Sequence, residues 1–282
     1  MISIIIPTHN KANRLKKTIQ SLLQQQYKNL EIIVVDDGSQ DNSAEVVKNI
    51  NYNIKYIKHE HNQGTIAARL TGITNSTGKF IAFLDDDDNW NNKKLMLQKN
   101  VFDKHPNIDF VMSNYLVNDQ INNKIYTVNL EQYVDNFRLS ILKKPGPFLQ
   151  CCLFQSKFIK QYVALFDNKA LPSEDWDWFI SIARYNPKIH NVNTTLFQWN
   201  FSHSSQSANF EKEALAIEYI IQKNKQDILE YTNNKNLSLH YRRIAGLYKL
   251  SNNQNMVKKY YQYAFLSNPI SIKNIFNKLK YI

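Results

Sequence analysis

Along roughly the first ninety residues, short apolar runs rich in Ile and Val alternate with longer segments whose apolar residues recur at helical spacing. The apolar runs predict strands at residues 2–6, 30–35, 54–58 and 80–84, and the spaced segments predict helices at residues 13–26, 43–50 and 65–74. This rhythm is typical of a parallel sheet with right-handed crossover connections. The pattern therefore predicts an α/β fold.

The pattern changes after Lys93. Strand-like runs at residues 108–117, 148–154 and 194–198 are expected to extend the sheet, and the stretch at 118–144 is polar with scattered aromatic residues. Ser173 followed by acids predicts a helix that continues to about Tyr185. From Ala214 onward the chain is predicted to be helical, with a hairpin formed by residues 241–250 and 254–266.

The last predicted helix is amphipathic. Four apolar residues share one face and three lysines flank it: Ile272, Ile275, Phe276 and Leu279, with Lys273, Lys278 and Lys280. Two interpretations are open. The helix docks onto the body of the protein, or it contacts a membrane surface.

Polar groups follow three of the predicted strands. They are Pro7-Thr8-His9-Asn10, Asp36-Asp37 and the run from Asp85 to Asp88. The carboxyl ends of parallel strands face one crevice, so these groups are expected to address a single ligand. Carboxylates at the second strand end suit hydrogen-bond donors, such as a uracil imide or ribose hydroxyls, better than they suit phosphate.

The run of four acids after residue 84 has two interpretations. Adjacent carboxylates repel one another unless a cation offsets the repulsion, and Mg²⁺ or Mn²⁺ prefers such oxygen ligands together with substrate phosphates. The run could instead be a solvated loop, or Asp88 could cap the next helix. A calcium loop of the EF-hand type is disfavoured, because the central Gly is missing and Met96 stands at the twelfth position from Asp85.

Composition narrows the class of protein. With 282 residues, 43% of them hydrophobic, the chain can bury one large core or two modest ones. There is no run of about 18 apolar residues and no basic and apolar leader at the start, so we expect a cytoplasmic protein. The adjacent Cys151 and Cys152 are expected to be reduced core residues.

The positive charge is concentrated near the end of the chain. Residues 231–282 carry nine Lys or Arg and no acid, out of a net charge of +11. Such a segment is either a solvated helical surface or a contact with an anionic membrane, which would place the protein at the inner face of the membrane. No nucleic-acid-binding motif accompanies the charge, so nucleic acid is not an expected partner.

Two common nucleotide motifs are missing. The sequence has no Gly-x-Gly-x-x-Gly after the first strand and no Gly-x-x-x-x-Gly-Lys-Ser/Thr. This argues against a dinucleotide-dependent dehydrogenase and against a P-loop nucleotidase.

Four blocks in order carry a resemblance to a known family. They are Ser3-Ile-Ile-Ile-Pro-Thr-His-Asn10, Glu31-Ile-Ile-Val-Val-Asp-Asp-Gly-Ser39, Asn62-Gln-Gly-Thr-Ile-Ala-Ala-Arg69 and Phe83-Leu-Asp-Asp-Asp-Asp-Asn-Trp90. Together they resemble family 2 inverting glycosyltransferases of the GT-A fold, a Rossmann-like open mixed sheet flanked by helices. The resemblance implies metal-dependent transfer of a sugar, most often from a UDP-sugar, to a hydroxyl of a glycan or lipid-linked saccharide in bacterial surface polysaccharide assembly.

The resemblance also implies roles for particular residues. The family's Asp-x-Asp motif matches Asp85-Asp86-Asp87, with Asp87 as ligand of Mn²⁺ or Mg²⁺ and Asp85 nearer the ribose. His203 matches a family histidine that contacts metal or phosphate, although Asn200 stands where an Arg is common. The residues implied in nucleotide-sugar binding are Pro7, Thr8, Asn10, Asp36, Asp37, Arg69, Asp85 and Asp86.

Glu174-Asp175 resembles the family's Glu-Asp pair, in which the second acid is the general base, here Asp175. The competing interpretation is that these acids only stabilise the start of their helix. Asp177 is a rival base, but helical geometry places it about 200° from Asp175 around the axis.

The expected organisation is a GT-A domain at residues 1–210 and a basic helical appendage at residues 211–282. Within the domain, residues 1–92 would bind the nucleotide-sugar and residues 93–210 the acceptor. Two other functions stay open, a sugar-phosphate nucleotidyltransferase and a non-catalytic binding protein on the same fold. The missing Gly- and Arg/Lys-rich loop after the first strand counts against the nucleotidyltransferase.

Overall fold

The strands and helices alternate through the first hundred residues, as the sequence predicts. In the computed structural model, which describes residues 1–86, 88–203 and 205–281, the strands are β1 (Ile2–Thr8), β2 (Leu30–Asp36), β3 (Ile54–Lys58), β4 (Phe80–Phe83), β5 (Asn89–Trp90), β6 (Phe110–Asp119), β7 (Lys124–Val128), β8 (Leu153–Gln155) and β9 (Ile189–Phe201). The helices are α1 (Ala12–Leu23), α2 (Ser43–Lys48), α3 (Thr65–Thr74), α4 (Lys94–Lys104), α5 (Phe137–Lys143), α6 (Ser156–Gln161), α7 (Glu174–Ala183), α8 (Phe210–Lys223), α9 (Lys225–Tyr231), α10 (Asn234–Leu250), α11 (Gln254–Ser267) and α12 (Ile272–Tyr281).

The chain packs as two compact units. The sheet unit comprises Met1–Asp135, Pro147–Phe166 and Pro187–Phe201, and the helical unit comprises Asn136–Gly146, Asp167–Asn186 and Ser202–Ile282. These are units of packing. The functional division at residue 210 stays a prediction.

One mixed sheet organises the sheet unit. Its strands follow the order β3-β2-β1-β4-β8-β6-β9-β5, with β7 paired to β6 outside this path. β1 pairs in parallel with β2 and β4, and β2 pairs in parallel with β3, which confirms the parallel sheet expected from the N-terminal pattern. β8 runs antiparallel to β4 and β6, so the second half makes the sheet mixed. Strands β1 and β4 are buried along their whole length, which explains their unbroken apolar runs.

The segment at residues 148–154 corrects a prediction. Instead of one strand it forms a 3₁₀ turn at Leu149–Cys151 followed by the short β8. The indole nitrogen of Trp90 donates to the carbonyl of Gln150 at 3.1 Å, and the Gln98 amide donates to the carbonyl of Cys151 at 2.9 Å. Because these side chains take the carbonyls, they are not available to a strand ladder.

The polar stretch at residues 118–144 contains more structure than its composition suggests. β6 and β7 form an antiparallel hairpin whose turn includes Asn123 at a φ of +51°. Asn136 then caps α5 by accepting from the backbone nitrogen of Leu139 at 2.9 Å. Asn tolerates the left-handed region and caps helices well, so Asn123 and Asn136 were the sequence signals for the turn and for the start of α5.

The helical unit collects α5 and α7 together with α8 to α12. Every residue of α7 is buried, and the Trp176 indole donates to the carbonyl of Ile141 at 2.8 Å, just before the end of α5. The predicted hairpin is present as α10 and α11. None of the helices in the part of the chain that the structure describes has the length and apolar character needed to cross a bilayer.

Candidate functional site

The loops after β1 and β2 are tied to each other. The Asp37 backbone nitrogen donates to the carbonyl of Thr8 at 2.9 Å, and the Asn10 backbone nitrogen donates to Ser39 Oγ at 2.9 Å. Asn10 adopts a φ of +54°, which turns the chain from β1 toward α1. Pro7 lies opposite Val35 in the parallel ladder. The two strand ends therefore form one fixed edge, as the sequence predicts.

Asp36 is fully buried at the end of β2. Its Oδ1 accepts from the Ser39 backbone nitrogen at 2.7 Å, and its Oδ2 accepts from the Tyr56 hydroxyl. Burial, followed by the hydrogen bond to Asp36, raises the pKa of Tyr56 well above its usual value. Tyr56 therefore stays a hydrogen-bond donor to Asp36 at all ordinary pH values.

Asp37 is held by three donors. Its Oδ1 lies 2.7 Å from His59 Nδ1 and accepts from the Gln63 backbone nitrogen at 2.9 Å, while Oδ2 accepts from the Gly64 nitrogen at 2.7 Å. Since Gly64 directly precedes α3, Asp37 fastens the end of β2 to the start of that helix. Both strand-end carboxylates hold their loops in this structure. Their predicted contacts with a base and a ribose stay predictions.

Gly38 is required in the same loop. Its φ is +77°, and a Cβ at this position would lie 2.7 Å from the backbone carbonyl carbon of His61. A side chain here would push the two loops apart and strain the turn.

Asp85 lies just beyond β4 and is the most exposed carboxylate described at these strand ends. Its side chain is 29% exposed, and Arg69 Nη2 contacts its two oxygens at 3.2 and 3.4 Å. The Gln150 amide also donates to it. The buried Oε1 of Gln150 has no hydrogen-bond partner among the described residues. Asp85 is thus oriented by two side chains and still reachable from outside.

Asp86, the next residue, contacts the end of β1 and a residue of α1 instead. It accepts from Thr8 Oγ1 at 2.8 Å and forms an ion pair with Lys11 Nζ at 3.0 Å, while Thr18 Oγ1 donates to its carbonyl at 3.1 Å. The residue is 4% exposed. Asp86 therefore fastens the acidic loop to the end of β1, which places Thr8 and Asp86 together as the sequence predicts.

Asp87, the predicted metal ligand, lies outside the described residues. Asp88 is buried, and the helix α4 begins only at Lys94, so Asp88 does not cap it. His203 lies exposed in a turn of the helical unit, after the end of β9. Among the residues that the structure describes, no group of three or more His, Cys, Asp or Glu side chains is placed to hold a metal ion.

Asp175 occupies the first turn of α7 beside Glu174, and both are buried in the helical unit. The Ser173 hydroxyl does not cap this helix. It donates instead to Glu213 Oε1 at 2.7 Å, and burial raises the pKa of Glu213. The acids of this turn lie at the positive end of the helix dipole, where acidic side chains stabilise the start of a helix.

Asp177 is engaged with a cation. It has no exposed surface, and its Oδ2 lies 2.6 Å from Lys223 Nζ, which also contacts Asp167 at 3.0 Å. Burial raises the pKa of Asp177 in spite of this lysine. The ion pair joins α7 to α8.

Sequence reasoning missed the side chains that orient the predicted carboxylates. They are Lys11, Tyr56, His59 and Gln150. Their partners lie between 20 and 75 residues away in the chain. Gln150 offered a signal, because it is an amide in an otherwise apolar run, and a buried amide needs a partner.

Comparison with known proteins decides the family. The family described as glycosyl transferase family 2 matches residues 3–163, which is more than half of the chain. The chain belongs to glycosyl transferase family 2. This confirms the resemblance carried by the four blocks.

Relatives of this chain in the family are bacterial. An uncharacterized glycosyltransferase of Rickettsia prowazekii is 34% identical over 64% of this chain and 58% of its own length. The Escherichia coli protein named UDP-Glc:alpha-D-GlcNAc-diphosphoundecaprenol beta-1,3-glucosyltransferase WfgD is 31% identical over 76% of this chain and 82% of its own length. The chain spans only 35% of the length of the Rickettsia conorii relative, so it covers less than two thirds of several relatives it matches.

Solved structures of two transferases share the fold. S. aureus TarS in complex with UDP-GlcNAc superposes with a TM-score of 0.69 at 17% identity, covering 99% of this chain and 88% of that chain. The mannosyltransferase PcManGT from Pyrobaculum calidifontis, in complex with GDP-Man and Mn²⁺, gives a TM-score of 0.62 at 15% identity, covering 99% and 86%. The predicted GT-A fold is confirmed.

The chemistry of the described side chains at the strand ends shows whether they suit a divalent cation. Asp85 presents a partly exposed carboxylate whose orientation is fixed by Arg69 and Gln150. Mg²⁺ and Mn²⁺ are commonly held by one or two carboxylates together with substrate phosphates. The donor set therefore fits such an ion when phosphate completes the coordination, with Asp85 and, in the sequence, Asp87 as the available carboxylates.

Proposed function

We propose that this chain is an inverting glycosyltransferase that moves a sugar from a nucleotide-sugar to a hydroxyl of a lipid-linked saccharide. The proposed donor is a UDP-sugar. The observation that carries the proposal is the fixed edge at the ends of β1, β2 and β4. There Asp85 is exposed and oriented, while Asp36, Asp37 and Asp86 hold the surrounding loops. Ligands of open α/β sheets bind at this edge.

Two comparisons support the choice of substrates. The WfgD relative is named as a glucosyltransferase that uses UDP-Glc and a diphosphoundecaprenol-linked GlcNAc, and the TarS structure contains UDP-GlcNAc. The PcManGT structure contains GDP-Man. UDP and GDP are therefore the two nucleotides to compare first.

Within the sheet unit, exposure gives the proposed role of Asp85, which would contact the ribose and the metal. The family's Asp-x-Asp motif gives the proposed role of Asp87, which would be the second carboxylate on the metal. Asp36 and Asp37 would shape the pocket for base and ribose through the loops they hold. A bound divalent metal would supply positive charge that stabilises the departing nucleoside diphosphate. Arg69 holds the Asp85 carboxylate in place, and its contact with the nucleotide-sugar stays a prediction.

Asp175 is the proposed general base. A single displacement at the anomeric carbon inverts its configuration and needs one group to accept the proton of the attacking hydroxyl. A carboxylate in a partly dry environment can have a pKa suited to this step. Asp177 is less suited, because it is fully buried and its carboxylate is already engaged by Lys223. No covalent enzyme intermediate is required.

Titration calorimetry with UDP in the presence and absence of Mn²⁺ tests the donor site. We expect metal-dependent binding in the micromolar range for the whole chain and its loss in Asp87→Ala. Asp103→Ala is the matched control, since Asp103 is an exposed acid of α4 that pairs only with Lys99 among its described ion pairs. A UDP affinity that is unchanged by removing Mn²⁺ and unchanged in Asp87→Ala would contradict the proposed site.

A donor screen tests the reaction. UDP-Glc, UDP-GlcNAc and GDP-Man would each be incubated with enzyme and Mn²⁺, and release of free nucleotide measured without an acceptor. We expect slow hydrolysis of one UDP-sugar. Proton NMR of the sugar product with a lipid-linked acceptor then gives the anomeric configuration, and retention of the donor configuration would contradict the inverting mechanism.

A further inference from the structure

Helix α12 packs with its polar side inward. Asn274 is 1% exposed, and its amide nitrogen lies 2.8 Å from Ser238 Oγ, 2.9 Å from the carbonyl of Ala264 and 2.7 Å from the carbonyl of Asn268. Asn277, about one turn further, is buried as well. The helix does dock on its own unit, but through these asparagines and Tyr281, which stacks on Tyr261, and not through the face that carries Ile272 and Leu279.

The apolar side of α12 therefore faces outward. Ile272 is 85% exposed and Leu279 is 83% exposed, with Phe276 at 61% and Ile275 at 41%. At about 100° per residue these four lie within an arc of about 100°, and Asn274 and Asn277 lie opposite. The hydrogen bonds of Asn274 fix the rotation of the helix, so it cannot roll to bury this arc without breaking them.

Two further exposed apolar residues lie just before α12 in the chain. Ile270, just before α12, is 86% exposed, and Leu266 near the end of α11 is 66% exposed. Isolated apolar residues on a surface are ordinary, but six exposed apolar residues between Leu266 and Leu279 are typical of an interaction site.

Charge identifies the class of partner. Lys273 and Lys280 flank the arc on one side and Lys278 on the other, and all three are exposed. The whole segment of residues 231–282 carries nine positive charges and no acid. A second copy of this chain would bring like charges together, so self-association through this face is disfavoured.

We propose that α12, with Leu266 and Ile270, binds the surface of an anionic lipid bilayer. The helix would lie in the plane of the interface, with its apolar arc at the boundary of headgroups and acyl chains and its lysines among the headgroups. An apolar strip flanked by lysines is the pattern of interfacial helices, and binding adds apolar burial to electrostatic attraction. This attachment site goes beyond the proposed sugar transfer and does not depend on it.

Sedimentation with vesicles tests the apolar arc. The whole chain would be mixed with vesicles of equal parts phosphatidylglycerol and phosphatidylcholine, or of phosphatidylcholine alone. We expect binding to the anionic vesicles and a loss of at least about tenfold in the partition coefficient of the Ile272→Ser/Leu279→Ser variant. Leu215→Ser is the matched control, because Leu215 is an exposed leucine on α8 of the same unit. Circular dichroism checks that each variant is folded.

The lysines are tested separately. Each lysine near an anionic surface contributes about fivefold to binding, so Lys273→Ala/Lys280→Ala should bind about 25-fold more weakly. High salt should have a similar effect on the unmodified chain. Binding that is equal on neutral and anionic vesicles would overturn the proposed electrostatic part.

A spectroscopic probe reports the position of the helix. Phe276→Trp should show a blue shift of emission on anionic vesicles and quenching by brominated acyl chains. An unchanged spectrum in a variant that sediments with vesicles would place the contact elsewhere and overturn the proposal. So would a protein that ignores vesicles and dimerises through this face, which light scattering would detect. UDP calorimetry on the same samples distinguishes these failures from a failure of the donor site.

Discussion

Acidic side chains gather in two regions of this protein, and the two regions use them differently. At the strand ends, the buried Asp36 and Asp37 are satisfied largely by backbone nitrogens and neutral side chains, and Asp85 keeps 29% of its surface exposed. Around α7, the fully buried Asp177 is held by Lys223. The first arrangement leaves one carboxylate available to a ligand, while the second holds helices together. Asp85 and Asp177 both pair with a cation, Arg69 and Lys223, so it is exposure, more than acidity or the charge of the partner, that separates a carboxylate open to a ligand from a structural one.

The largest expected effect tests whether Asp175 is catalytic, in contrast to Asp177, whose role is structural. Asp175→Asn should lower kcat about 10³-fold, because a positioned general base contributes about 10² to 10⁴. UDP binding, measured by calorimetry, should be unchanged, since the base acts on the acceptor. Full turnover in this variant would show that Asp175 belongs with the structural acids.

The next effect concerns Asp85. Asp85→Asn keeps the shape of the side chain, removes its charge and replaces one of the two oxygens that Arg69 and Gln150 contact by an amide nitrogen. We expect a loss of about 10² in kcat/KM, similar to the loss of one electrostatic group from a catalytic site. The free energy of unfolding should fall, because the buried Arg69 loses this ion pair, but by less than for the fully buried Asp177, since Asp85 is partly exposed. A large loss of stability with normal kinetics per folded molecule would move Asp85 into the structural class.

The sequence showed the two regions unequally well. Strands β1, β2 and β4 and the polar residues at their ends were visible, because a buried strand leaves an unbroken apolar run and its polar end follows directly. The partners that set exposure were not visible. The sequence marks Gln150 as an amide that needs a partner, but Gln150 is 65 residues from Asp85, and no local pattern identifies that partner.

The same limit applies to helix orientation. The spacing of Ile272, Phe276 and Leu279 predicted an amphipathic α12, and the helix is present. Which face is covered depends on Ser238 and on carbonyls at residues 264 and 268, and these follow from tertiary packing. Periodicity therefore gave the helix and its two faces but not the choice between them.

A smaller effect, on stability, is expected from the ion pair of α7. Asp177→Asn should lower the free energy of unfolding by about 2 kcal/mol, less than for a fully enclosed pair because Lys223 is partly exposed and keeps Asp167. Urea unfolding measures this. The double variant with Lys223→Met should lose less than the sum of the two single changes. Turnover per folded molecule should be kept, and a loss of turnover without a loss of stability would make Asp177 the base.

The smallest effect is a pH dependence located in the helical unit. His240 is buried against Trp176 of α7, lies 2.8 Å through Nε2 from the carbonyl of Leu142, and burial lowers its pKa to about 4. Its pKa in the unfolded chain is about 6.5, so the unfolded state binds the proton first as the pH falls. The stability that depends on neutral His240 is complete above about pH 6.5 and is lost as the pH falls toward about 4.

Urea unfolding at two pH values measures this contribution. Between about pH 7.5 and about pH 5.5 we expect the free energy of unfolding to fall by about 1 kcal/mol. His240→Gln can still donate to the carbonyl of Leu142 but does not titrate, so its pH dependence should be smaller by that amount. An equal pH dependence in both proteins would trace the effect to other groups. His240 belongs to the helical unit and contacts Trp176 of α7. The variant should therefore leave Mn²⁺-dependent UDP binding unchanged at neutral pH. That result would separate the helices that set stability from the carboxylates proposed to bind the donor.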